Sequence, residues 1–272
     1  LRLAAYRLDS TRVYTNKPAC GPKRGHGSVQ PRFAFEVSVD KLAEKLALDP
    51  IELRRRNVIE PGERTINEFI IKSIGFRECL DRVEQSSGWK EKFRKLPYGR
   101  GVGVAGSFYI SGTNYPIYPN AMPQSAVQIK VDRSGRVAVF CGLSEMGQGA
   151  DTMLAMITSE ELGVELEAIR VVSGDTDLSP VDLGGYSSRT TMMAGNACLS
   201  AARELATRIR TVVAEKWECS AKSVALAGGF ATQRDDTSRR MEIGEAFRLT
   251  EARHGALGSV VWDTAAGMPV GV

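Results

Sequence analysis

Residues 136–173 read RVAVFCGLSEMGQGADTMLAMITSEELGVELEAIRVVS, and this stretch decides the fold. Arg136 to Cys141 is a strand candidate, and Met146-Gly147-Gln148-Gly149 then interrupts. Asp151 to Leu162 has the composition of a helix closed by Gly163, and Ile169 to Ser173 is a second strand rich in β-branched residues. Strand, glycine loop, helix and strand together are an α/β pattern.

Upstream, Ala126 to Val131 alternates and meets Asp132-Arg133-Ser134-Gly135, which predicts a β-hairpin with residues 136–141. Gly101 to Ile110 is a further strand candidate. Downstream, the polar loop Gly174 to Ser187 precedes the longest predicted helix, Arg189 to Trp217. Met192, Leu199, Leu205, Ile209 and Val212 are its expected buried face. A strand at Ser223 to Phe230, a helix at Glu242 to His254 and a strand at Gly258 to Asp263 continue the alternation.

The N-terminal third differs in texture. Tyr14 to Pro31 is a loop rich in glycine and proline that carries Lys17, Lys23 and Arg24 and no acid. From Pro31 a helix follows, with Phe35, Val39, Leu42 and Leu46 on one face. Asp49-Pro50-Ile51-Glu52 starts a second helix, with N-cap, proline and glutamate in capping-box order. A third is expected at Phe76 to Ser87, stopped by Gly88. The charged stretch Lys90 to Arg100 reads as a linker, so a domain covering 1–95 and a domain covering 96–272 are expected. The fold class is α/β (α+β), with mixed sheets and one long helix.

Composition excludes several classes. The 272 residues are 43% hydrophobic and 25% charged with net charge +4, which is globular and too mildly basic to imply nucleic acid. No run approaches the ~18 apolar residues of a membrane span, and no signal peptide opens the chain. Five scattered cysteines and two histidines disfavour a zinc site, an iron–sulfur cluster or a disulfide framework, and point to a reducing, cytoplasmic setting. Neither a G-x-x-x-x-G-K-[ST] nor a G-x-S-x-G motif occurs, which weighs against an NTPase and a serine hydrolase. The first methionine is Met122, so the chain reads as a piece of a longer polypeptide.

Three loops are candidate ligand sites, because each is glycine-rich, polar and followed by a helix start with free N–H groups. The first brings Arg24, a planar five-donor fork. The second brings Gln148 between Gly147 and Gly149. The third brings Ser187, Ser188, Thr190 and Thr191. Each has a plainer reading: ordinary turns, Ser188 as an N-cap, Arg24 paired with a surface acid, His26 as an idle loop residue rather than an acid or base, and the Met153/Met156 and Met192/Met193 pairs as core filler.

Read in order, Tyr14-Thr15-Asn16-Lys17-Pro18, Arg24-Gly25-His26-Gly27, Arg54-Arg55-Arg56-Asn57, Met146-Gly147-Gln148-Gly149 and Ser187-Ser188-Arg189-Thr190 with Gly195-Asn196-Ala197 resemble the molybdenum-binding subunit of the xanthine dehydrogenase/aldehyde oxidase family. Within it, Asp175 to Arg189 looks closest to the large subunit of 4-hydroxybenzoyl-CoA reductase. The chain departs from carbon monoxide dehydrogenases, which carry cysteine where it has Gly25, and from purine and aldehyde hydroxylases, which carry an aromatic ring where it has His26.

The resemblance implies two adjoining, partial molybdopterin-binding domains. It implies that Arg24 approaches the molybdenum, that Gly147, Gln148 and Gly149 meet an oxo ligand or the pterin edge, and that Ser187, Ser188 and Thr190 meet the dithiolene and pyrophosphate. The cofactor would be molybdopterin in its cytosine dinucleotide form, with iron–sulfur and FAD centres on partner subunits. The implied reaction is reductive dehydroxylation of an aromatic acyl-CoA, with oxidative hydroxylation of an aldehyde or N-heterocycle as the alternative. The family's glutamate base has no counterpart before Val272, so no catalytic or metal-ligating residue is assigned, and the isolated chain is expected to be inactive and to bind cofactor weakly or not at all. A different class remains open: a non-catalytic α/β module that binds a nucleotide or protein through Lys17 to Arg24.

Overall fold

In the computed structural model of the protein, residues 1–18, 25, 27–109, 112, 125–255 and 258–263 are described. They fall into two compact units, one within Leu1–Ser111 and one built on Asn120–Gly267 together with Gly112.

The first unit is helical: α1 (Val29–Lys45), α2 (Pro50–Arg56), α3 (Phe76–Ser87) and the single turn α4 (Trp89–Lys92). The α2 start follows from its sequence, since Asp49 Oδ1 accepts from Ile51 N at 2.7 Å and Glu52 N at 3.3 Å behind Pro50. Only half of the expected capping box forms, because the Glu52 carboxylate turns to Arg55 and Arg56. Gly88 ends α3 in the left-handed region, φ 64°, as expected.

The face of α1 is a correction. Val39, Ala43 and Glu36 are buried, whereas Leu42 and Leu46 are exposed. The cause lies in α2: Arg54, fully buried, donates from Nε and Nη2 to Glu36 Oε2 at 3.0 and 2.7 Å and turns that edge of α1 inward. Residues 101–109 are a second correction, since no strand forms there. The stretch packs by side chain and by α1 instead, with Val102 and Val104 against the Ile51–Val58–Leu80–Trp89 cluster and Gly106 N donating to Glu36 Oε2 at 2.9 Å. Ile110 lies outside the described residues.

The second unit carries the α/β pattern. Its main sheet has the order β3-β2-β1-β7, with β1 (Ser125–Val131), β2 (Val137–Cys141), β3 (Ile169–Ser173) and β7 (Gly258–Asp263). The β1–β2 hairpin is antiparallel, and Asp132 Oδ1 closes its turn by accepting from Ser134 N and Arg136 N. β2 and β3 are parallel, which requires a crossover, and α5 (Ala150–Leu162) is that crossover.

The long helix arrives in two parts, a π-helical turn at Thr190–Ala194 and then α6 (Gly195–Trp217). Its buried face includes Ala197, Cys198, Ala201, Ala202, Leu205, Ala206, Ile209, Val212 and Val213, so Leu205, Ile209 and Val212 hold their expected places. Met192 and Leu199 stay only half-buried, because the small residues one step round the helix fill the core shared with Leu154 and Leu162 of α5. Beyond α6 the expected single strand is a hairpin, β4 (Val224–Ala227) and β5 (Phe230–Gln233). Gly228 and Gly229 turn the chain back at φ 56° and 78°, a two-residue geometry glycine adopts without strain. β6 (Asp236–Glu242) and α7 (Ile243–His254) complete the unit.

Candidate active-site loops

The second unit brings two of the predicted loops together. Residues 144–149 leave the β2 edge, are exposed throughout, and enter α5 through Gly147 and Gly149 at φ 93° and 82°. Their amides are taken. The Glu145 carboxylate accepts from Gly147 N at 2.6 Å and Gly149 N at 3.1 Å through Oε1, and from Asp151 N at 3.2 Å through Oε2. Those bonds, first from Gly149 and Asp151, hold its carboxyl below the ordinary value. The Gln148 side chain folds over the same turn, accepting from Met146 N at 2.6 Å and donating to Ser144 O at 3.0 Å.

The third loop is held from below by a buried ion pair. Arg189 Nη1 lies 2.8 Å from Asp182 Oδ1 and 3.2 Å from Gly184 O, while Nη2 donates to Ser125 Oγ of β1 at 2.9 Å. Asp182 Oδ1 also accepts from Gly184 N at 2.7 Å. Gly142, just past β2, lets this loop approach: a methyl group there would stand 2.4 Å from Pro180 O and 2.8 Å from Asp182 N. Above the pair, Ser187 and Ser188 both adopt left-handed backbone, φ 55° and 49°, a geometry L side chains rarely take. The plainer reading of Ser188 as an N-cap therefore fails, since Arg189 caps the π-turn and no side-chain cap bond forms.

The two loops meet at Gly185. A methyl group built on it would stand 3.0 Å from Met146 Cε, 3.4 Å from Thr190 Oγ1 and 3.7 Å from Gln148 Nε2. Gly147, Gly149 and Gly184 have open space where a side chain would be, so backbone is accessible around this junction. Left-handed backbone, a π-turn and a glycine junction concentrated within a few residues are features that recur at functional sites.

Arg24 and His26, the first loop's candidate residues, lie outside the described residues, as does Cys20. Of what surrounds them, Gly25 O accepts from Ser28 N and Oγ at 3.1 and 2.9 Å. The roles of Glu145, Asp182 and Arg189 were missed by sequence reasoning. Their signals were present: an acid two residues before a glycine turn, and an Asp–Arg pair bracketing a glycine loop. Cys141 and Cys198 are buried, and burial pushes their thiols up to about 12 and about 11, which leaves them unreactive at neutral pH. Among the described residues no group of His, Cys, Asp and Glu is placed to hold a metal ion, and no helix is long and apolar enough to cross a membrane.

Comparison with known proteins addresses what these loops are for. The family described as Molybdopterin cofactor-binding domain matches residues 79–268, and a second family of that description matches residues 2–58. The xanthine dehydrogenase molybdenum-binding subunit of Escherichia coli O157:H7 is 34% identical over 232 residues, covering 83% of this chain and 30% of the relative. The 6-hydroxypseudooxynicotine dehydrogenase complex subunit gamma of Paenarthrobacter nicotinovorans is 32% identical over 240 residues, covering 84% and 30%. The crystal structure of quinoline 2-oxidoreductase from Pseudomonas putida 86 superposes with TM-score 0.77 at 21% identity, over 89% of this chain and 34% of that one, a likeness of fold. The chain spans about a third of the length of the curated relatives it matches.

Proposed function

The chain belongs to the family of molybdopterin cofactor-binding domains, and from that premise we propose that it forms part of the molybdenum-binding subunit of an oxidative hydroxylase acting on a planar N-heterocycle or aldehyde. The observation that carries the cofactor assignment is the Gly185 junction, where Met146, Gln148 and Thr190 of the two loops come together beside Gly147, Gly149 and Gly184, whose Cβ positions open onto free space.

The residues fit such a group. A pterin is flat, polar and edged with donors and acceptors, and Gln148 offers both an amide donor and an acceptor while the glycines permit close backbone approach. Gly147, Gln148, Gly149, Ser187, Ser188 and Thr190 are the residues proposed to hold it, with Arg24 proposed to approach the metal. When bound, the cofactor supplies the two-electron redox chemistry. The protein's task is to orient it: the Asp182–Arg189 pair fixes the 182–189 turn, and the glycines leave room for the ligand. The molybdopterin is proposed in its cytosine dinucleotide form, in a cytoplasmic complex with iron–sulfur and FAD subunits. Two cofactor-binding domains, 1–95 and 96–272, are proposed from the sequence.

Oxidative hydroxylation replaces a C–H hydrogen by a water-derived hydroxyl, releasing two electrons and two protons. Reductive dehydroxylation of 4-hydroxybenzoyl-CoA runs the opposite way, consuming two electrons and two protons and releasing water. The relatives' printed names, dehydrogenases of xanthine and of a pyridine derivative, support the oxidative direction. The Asp175 to Arg189 run favours the reductive reading as the second choice. Assaying the parent enzyme with N-heterocycles in isotopically labelled water separates them. Labelled oxygen in the product supports the proposal; no heterocycle turnover with reduction of 4-hydroxybenzoyl-CoA overturns it. Binding of plain nucleotides with no preference for the pterin dinucleotide would favour the non-catalytic module instead.

A further inference from the structure

We propose that Glu145 is the positioning residue of this site: its carboxylate is an anion supplied by the chain itself that fixes the Gly147–Gly149 turn and holds Gln148 beside Gly185. The significance for cofactor binding rests on the function proposed above; the positioning itself does not.

The first amides of a helix have no partner within it, and a glycine turn leading into α5 adds more. Here both oxygens of one carboxylate collect them, Oε1 at 2.6 and 3.1 Å from Gly147 and Gly149 and Oε2 at 3.2 Å from Asp151. A negative charge at a helix N-terminus is further stabilised by the helix dipole. Asp151, the other acid on this turn, is committed elsewhere, its Oδ2 accepting from Ser173 Oγ at 3.1 Å.

Two consequences follow. Gln148 sits between the two clamped glycines, and its own amide bonds to Met146 N and Ser144 O can form only while that turn is closed. The turn is therefore organised before any ligand arrives, which lowers the ordering cost of binding. The amide nest is also already filled by a carboxylate. A phosphate would have to displace Glu145 to use it, so this loop meets an uncharged part of a ligand, such as the pterin edge, rather than its pyrophosphate.

Amide NMR on the full 272-residue chain tests the positioning. In the native protein the Gly147 and Gly149 amide shifts should titrate together with a midpoint below the ordinary 4.5. In Glu145→Gln that titration should vanish, the two amides should exchange about tenfold faster, and the Gln148 side-chain amide should move toward free-glutamine shifts. Glu145→Asp should recover part of each effect, while β1–β2 amides stay unchanged in every variant. Native shifts and exchange in Glu145→Gln would overturn the positioning. Adding molybdopterin cytosine dinucleotide to the cofactor-free parent subunit, native and Glu145→Gln, separates the two claims: weaker perturbation of this loop in Glu145→Gln than in the native subunit supports both. No perturbation of the native loop, beside a loosened Glu145→Gln turn, sinks the cofactor reading and leaves the positioning standing.

Discussion

Arg189 Nη1 lies 2.8 Å from Asp182 Oδ1, and neither side chain reaches solvent. The pair sits beneath the 184–188 turn and reaches across to Ser125 of β1, so it joins the candidate loop to the sheet. Asp182 Oδ2 is buried without a hydrogen-bond partner among the described residues, which places the pair's whole gain on a single oxygen. Asp182→Ala removes a buried carboxylate that accepts from both Arg189 and the Gly184 amide, so it should cost about 3–5 kcal/mol. Urea unfolding measures it, and a loss under about 1 kcal/mol would mean the pair does not organise the loop.

Gly142 supplies the clearance for the same loop. A methyl group there meets the backbone of Pro180 and Asp182 at 2.4 and 2.8 Å, atoms that cannot swing aside. Gly142→Ala should destabilise by ~1–3 kcal/mol through overpacking. Hydrogen exchange should show the damage centred on residues 180–189, with α7 amides unchanged.

In the first unit Asp49 does two jobs, capping α2 through Oδ1 and accepting from Trp89 Nε1 at 2.8 Å through Oδ2. Trp89 is 2% exposed and anchors its cluster. Asp49→Ala should lose about 1 kcal/mol for the cap and about as much for the indole bond. Denaturant unfolding followed by Trp89 fluorescence, with Trp217 and Trp262 replaced by Phe, reads the loss and the changed indole environment together.

Acid stability should carry the mark of five carboxylates held by hydrogen bonds. Glu145 is lowered chiefly by backbone amides, Asp132 and Asp236 by Ser134 and Ser238, and Glu52 and Glu63 by Arg56 and Arg2. A depressed folded value means that the unfolded chain binds more protons, so these groups stabilise above the ordinary values of 4.5 and 3.8 and lose that contribution as pH falls through the lowered ones. Stability measured from pH 7 to pH 2 should therefore fall below about 4.5, and Glu145→Gln should flatten the upper part of that fall.

The elements visible in the sequence are those with local causes. The Asp132–Gly135 turn, the Asp49 cap and the Gly88 and Gly163 stops each lie within a few residues of what they determine. What local pattern missed has distant causes. The buried face of α1 depends on Arg54 reaching Glu36, and residues 101–109 follow α1 contacts rather than a strand partner. At the site, glycine spacing revealed the loops, but the Glu145 anion and the Asp182–Arg189 clamp are pairings that only folding brings into view.

The central claim is that the 146–149 and 184–190 loops hold a molybdopterin. Amide NMR of the cofactor-free parent subunit titrated to saturation with molybdopterin cytosine dinucleotide tests it most directly. The account predicts shifts concentrated on the Gln148 side-chain amide, Gly185 and Thr190, reduced by Gln148→Ala. Shifts confined to other parts of the chain, or the same pattern in Gln148→Ala, would contradict it.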